Sequence, residues 1–164
     1  MMEKMEVFLK DNFLSVWHHF LSFEISRSRT AVKVWGSANG YLVFQVICWH
    51  YILILTSTTD TKVRDQAVEL WFKYSKTGFD TSTVLTYSLI AELTNLSIET
   101  VRRQVKKLKI TNWVTYSKNK GVKLNASQKN NEYLANVFNV KEVQNLGKFM
   151  DIICKELKNK NIIS

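Results

Sequence analysis

The chain has 164 residues, 46% of them hydrophobic, with no proline and a formal net charge of +9; this excludes a disordered polyelectrolyte and allows one ordinary domain, or a small module with a helical extension. The charge is uneven, since residues 1–82 carry 9 Lys and Arg against 8 Asp and Glu, whereas residues 83–164 carry 14 against 6. Cys48 and Cys154 lie far apart in no metal-type spacing, which excludes a disulfide framework and a zinc knuckle and fits a reducing cytoplasm.

The opening Met-Met-Glu-Lys-Met-Glu lacks the basic start, apolar core and small-residue cleavage site of a secretory signal, so no export is expected. From Glu3 to Ile25, Val7, Phe8, Leu14, Trp17, Phe20 and Leu21 recur at helical steps and predict one amphipathic helix with an aromatic face. Arg27 to Lys33 reads as a basic connection, and Gly36-Ser37-Ala38-Asn39-Gly40 punctuates the chain. Tyr41 to Leu55 is apolar nearly all round and predicts a buried helix; with Gln45 and His50 inside its 15 residues it falls short of a membrane span, which needs about 20. A hairpin pairing Thr30–Trp35 with Tyr41–Val46 is the competing reading.

Thr56 to Asp60 is a polar break, Thr61 to Ser75 returns to helical spacing, and Gly78 is the expected stop. Fourteen of the 20 aromatic residues precede residue 82, so residues 1–80 are expected to form a helical region with a large apolar area to bury. Pairing with a second copy is the favoured use of that area, and a pocket for a small apolar effector is the alternative.

Residues 81–126 carry the most informative pattern. Thr86 is a candidate N-cap for a short helix whose apolar side is Leu89, Ile90 and Leu93. Asn95-Leu96-Ser97 follows as a tight turn, Asn being the commonest non-glycine residue in the left-handed conformation such a turn needs. Ser97 then caps a second helix, with Glu99 favouring its positive end. On that helix Ile98, Val101, Val105 and Leu108 fall on one stripe, which leaves Glu99, Arg103, Lys106 and Lys107 opposite it and Thr100 and Arg102 on the flanks. Trp113–Tyr116 and Val122–Leu124 read as two short strands around Ser117-Lys118-Asn119-Lys120-Gly121.

Between Ser97 and Asn125, eight cations stand against Glu99 alone, a net of +7 in 29 residues, which is a polyanion footprint. The expected fold is therefore mainly α: a winged helix-turn-helix with a two-stranded wing, flanked by N- and C-terminal helices. Its second helix suits the major groove, where Arg103 can donate to guanine O6 and N7 and Glu99 can accept from cytosine N4. Thr86, Tyr87 and Ser88 are placed for phosphate contacts, together with Lys106 and Lys107; Ser97, Thr100 and Arg102 are further DNA-binding candidates, and Lys118 and Lys120 reach the minor groove or flanking backbone. Residues 127–164 continue with helical spacing, Leu134, Val137 and Phe138 and then Val143 through Leu157, as C-terminal helices for dimerisation.

Leu96 to Leu108, Leu-Ser-Ile-Glu-Thr-Val-Arg-Arg-Gln-Val-Lys-Lys-Leu, resembles the recognition helix of the catabolite-activator family of winged-helix regulators. The resemblance implies base-reading roles for Glu99 and Arg103 and a phosphate contact for Thr86; the family's first base-reading Arg is replaced by Ile98. It covers about 40 residues, and nothing upstream looks like that family's cyclic-nucleotide β-roll. The overall order is similar to the MarR family, in which helices before and after the winged module form the dimer; the exit Val122-Lys123-Leu124-Asn125 is similar too, and the helical segment Thr61–Ser75 is a departure.

The expectation is a cytoplasmic, sequence-specific double-stranded DNA-binding transcriptional regulator, homodimeric, without cofactor or membrane association. The alternatives are a winged-helix plasmid replication protein and a protein-assembly module. No enzyme is expected, because His18, His19 and His50 lack a partnered nucleophile or carboxylate and no Gly-rich phosphate loop is present. A metal cluster of His18, His19, Cys48 and His50 would require the first two helices to pack face to face.

Overall fold

Apart from one β-hairpin, every regular element is helical among residues 2–60, 63–77 and 84–159, the residues that the computed structural model describes. In order these are α1 (Met2–Asp11), α2 (Phe13–Trp35), α3 (Ala38–Thr58), α4 (Arg64–Thr77), α5 (Tyr87–Thr94), α6 (Ile98–Ile110), β1 (Val114–Ser117), β2 (Gly121–Leu124), α7 (Gln128–Tyr133), one π-helical turn (Leu134–Phe138) and α8 (Asn139–Asn159). The expected stop at Gly78 lies outside the described residues. The chain divides into two compact units, Met1–Thr30 with Asn136–Ser164, and Ala31–Ala135.

Two expectations for the first 35 residues are corrected. The predicted single helix over Glu3–Ile25 is two helices that meet at Asn12, where the backbone amide and the side-chain amide both donate to the Phe8 carbonyl, at 3.0 and 2.9 Å. The basic connection at Arg27–Lys33 is helix: it contains neither Gly nor Pro, and Thr30 donates back to the Ser26 carbonyl without breaking the turn. The helix stops only at Gly36, in the left-handed region with φ +78°.

In the terminal unit, Phe8, Val16, Ile153 and Leu157 form the buried cluster, with Met5 and Phe149 packed against it. Phe149 of α8 stacks on Phe23 of α2 at 5.8 Å, and Arg27 donates to Glu142 at 2.6 Å, so an aromatic contact and a half-buried ion pair join the two long helices. α1, α2 and α8 line an apolar groove of about 470 Å³ that includes Leu9, Phe13, Trp17, Phe20 and Met150.

The Ala31–Ala135 unit is built on α3, which packs against α5, α6 and β2. The hairpin alternative for this region is not what forms, since Ser37 caps a helix by accepting from the Gly40 amide at 2.9 Å. Val43, Phe44, Ile47, Tyr51 and Leu55 are buried at helical spacing, and Trp35, Phe44 and Trp113 meet with ring centroids 4.7–5.5 Å apart. Thr56 to Thr58, expected as a polar break, extend α3. Ala38–Ser57 is thus long and apolar enough to cross a membrane by length and composition, longer than its apolar run suggests. Around α4, the buried Asn131 accepts from the Trp71 indole at 2.8 Å and donates to Ser75 and to the Ala126 carbonyl.

The hairpin is antiparallel, with Val114 opposite Leu124 and Ser117 opposite Gly121. Its second strand is anchored to the segment before α5, where the Val122 amide donates to the Leu85 carbonyl at 2.8 Å. Gly121 (φ +63°) is required there, because a Cβ would stand 2.5 Å from that carbonyl oxygen.

Candidate functional site

Local signals fix the three elements that carry the cationic stretch. Thr86 (φ −84°, ψ 163°) accepts from the Leu89 amide at 3.1 Å and starts α5. Asn95 (φ 54°) makes the left-handed turn, and Ser97 accepts from the Thr100 amide at 3.2 Å to start α6. The Ser97 hydroxyl also donates to Thr100 Oγ1 at 2.9 Å. At the far end Asn112 (φ 58°) replaces the usual glycine of a Schellman stop, with Trp113 donating to the Leu108 carbonyl and Asn112 to that of Lys109. Asn130 donates to the carbonyls of Thr111 and Asn112 and so holds this end.

Burial bears out Ile90 on α5 and Val101, Val105 and Leu108 on α6, and corrects one residue at the edge of each stripe. On α5 the inward residues are Ile90, Ala91 and Thr94, while Leu93 is 45% exposed. Thr94 tolerates burial because its hydroxyl donates to the Ile90 carbonyl. On α6 the buried residues are Val101, Gln104, Val105 and Leu108. Ile98, expected inside, is 46% exposed, for the packed stripe is rotated toward Gln104. The Oε1 of that amide accepts a long hydrogen bond, 3.4 Å, from Ser37 at the start of α3.

The outward face of α6 presents Glu99, Arg102, Arg103, Lys106 and Lys107 to solvent, with Thr100 half-buried at its edge. Thr86 and Ser88 are exposed at the start of α5, and Lys118 and Lys120 are exposed around the hairpin turn, where the Lys120 amide donates to Ser117 Oγ. Glu99 is not paired with Arg103, the partner one turn away. Arg102 Nη1 donates to Glu99 Oε2 at 2.6 Å.

Three elements converge at Tyr87. Its ring stacks on Tyr116 of β1 with centroids 4.3 Å apart and planes 18° from parallel, and the Arg102 guanidinium lies 5.9 Å from the Tyr87 ring centre. Desolvation pushes the Tyr87 phenol up, Tyr116 adds to this and Arg102 opposes it, so the phenol stays a neutral donor at physiological pH. Tyr116 is not among the residues expected to bear on binding; its sequence signal is an aromatic residue at the end of a predicted strand.

Among the described residues, no three or more His, Cys, Asp or Glu are placed to hold a metal ion. The Cys48 thiol is pushed far above its ordinary range by burial, which makes it a poor nucleophile. Comparison with protein-family models, with curated proteins and with solved structures gives no match to this chain.

Proposed function

We propose that the protein is a winged helix-turn-helix regulator that binds double-stranded DNA in a sequence-specific manner, with α6 in the major groove and the hairpin against the backbone or minor groove. The observation that carries this reading is the capped helix α6, whose outward face is a nearly unbroken cationic strip flanked by the exposed lysines of the hairpin. A helix of this kind fits the major groove, and its charge matches the polyanion that would hold it there.

Arg103 is assigned to guanine and Glu99 to cytosine; Thr86, Tyr87, Ser88, Ser97, Thr100 and the lysines are assigned to positioning on phosphates. The reading places the protein in the cytoplasm and gives it no catalytic role. Its likeness to the catabolite-activator and MarR families is part of the same proposal.

A homodimer completes the reading. In the terminal unit Phe13, Leu14, Trp17, Leu21 and Ile25 along α2 are 46–83% exposed, as are Leu146 and Met150 on α8 at 48% and 51%. Together with the groove they form an exposed apolar face of α2 and α8, and we assign a second copy to it. A small apolar effector in the groove is the other outcome.

The experiment is selection of bound duplexes from a random pool. A defined sequence, with two half-sites about 34 Å apart, supports the reading and the dimer together. Recovery of an unselected pool removes the claim of specificity.

A further inference from the structure

A carboxylate that is to read a base edge must enter the negative potential of the phosphates and hold one rotamer there, and both requirements oppose an isolated glutamate. The Glu99 side chain is 76% exposed, and solvent alone would leave it free to turn. Instead Arg102 binds one of its oxygens at 2.6 Å, the Arg102 guanidinium lies over the Tyr87 ring at 5.9 Å, and Tyr87 stacks on Tyr116 at 4.3 Å. These four side chains form a continuous chain from β1 through the start of α5 to the first turn of α6.

We infer that Arg102 is a positioning residue for Glu99, held through Tyr87 and Tyr116, so that the seat of the hairpin sets which base α6 reads. The inference rests on the DNA-binding reading and gives Arg102, a flanking DNA-binding candidate within it, the role of holding the base-reading carboxylate. Its guanidinium offsets the charge of Glu99 in the groove, and the one charge-assisted bond to Oε2 restricts the rotation of the carboxylate. Tyr116 then affects specificity without touching DNA.

The test compares base preference at each position, and the slope of binding against salt, for the wild-type chain and for Glu99→Ala, Arg102→Gln, Tyr116→Ala and Tyr116→Phe. Glu99→Ala defines the position that Glu99 reads. Arg102→Gln and Tyr116→Ala are expected to relax that same position, by roughly fivefold or more on the scale of one lost base contact, with the salt slope unchanged; Tyr116→Phe keeps the stack and the preference.

If Arg102→Gln weakens all sequences alike and lowers the salt slope by about one, Arg102 is a phosphate contact and the inference is overturned. It is equally overturned if the preference at that position survives both Arg102→Gln and Tyr116→Ala. Should Tyr116→Ala fail to fold, Arg102→Gln at an exposed helix position decides alone. Absence of salt-dependent duplex binding by the wild-type chain is a different result, and it removes the DNA-binding reading itself.

Discussion

The Tyr51 hydroxyl accepts the Leu124 backbone amide at 3.0 Å, inside the core, and thereby ties the middle of α3 to the last residue of β2. Replacing Tyr51 with Phe keeps the ring and strands a buried N–H. Equilibrium denaturation is expected to show a loss of about 1–3 kcal/mol, the cost of an unsatisfied buried donor. An unchanged midpoint would mean that this bond does not hold the hairpin.

Alkaline stability follows from the same region. Burial raises Cys48 from an ordinary value of 9.0 and Tyr51 from 10.0; for Tyr51 the Leu124 hydrogen bond opposes the rise and Cys48 adds to it. Groups raised in the folded state give stability that is complete below their unfolded values and is lost as pH climbs toward the folded ones. Thermal melts should therefore be insensitive to these two groups below about pH 9 and fall above it. Cys48→Ala should flatten the first part of that fall. A thiol reagent at neutral pH should label the exposed Cys154 quickly and the half-buried Cys48, its thiol raised by burial, far more slowly.

Side-chain truncation on α6 should divide sharply. Leu108→Ala, at a site 2% exposed, is expected to cost about 2–5 kcal/mol. Ile98→Ala, at 46% exposed, should stay within about 0.5 kcal/mol. Comparable losses at both sites would restore Ile98 to the packed stripe.

The second-copy assignment predicts that Leu14→Glu, at the most exposed apolar position of α2 with 83% exposure, converts the full chain to monomer in sedimentation velocity while its helical circular dichroism persists. A dimer that survives this change together with Trp17→Glu would place the interface elsewhere.

What was legible in the sequence is what short-range chemistry decides. Thr86, Asn95 and Ser97 act within three residues of themselves, so the two helices and their turn could be read directly, as could the glycine-containing hairpin. Misreadings came where a distant partner decides. Gln104 is buried next to Ser37, 67 residues away in the chain, while Ile98 is left 46% exposed. Arg27–Lys33 looked like a connection from its polarity, although it held no helix breaker and its Arg27 finds Glu142 across 115 residues. The stack of Tyr87 on Tyr116 has no local signature at all, since 29 residues separate the two rings along the chain.

The cationic face of α6 and its hairpin are proposed to bind duplex DNA. This binding is tested most directly by fluorescence titration of the full chain with a random-sequence duplex at about 50 and 200 mM salt. With six or more phosphate contacts, affinity is expected to fall by roughly a thousandfold between the two, and the fall should be smaller in Lys118→Ala/Lys120→Ala. No binding at the lower salt, or an affinity indifferent to salt, would contradict the account.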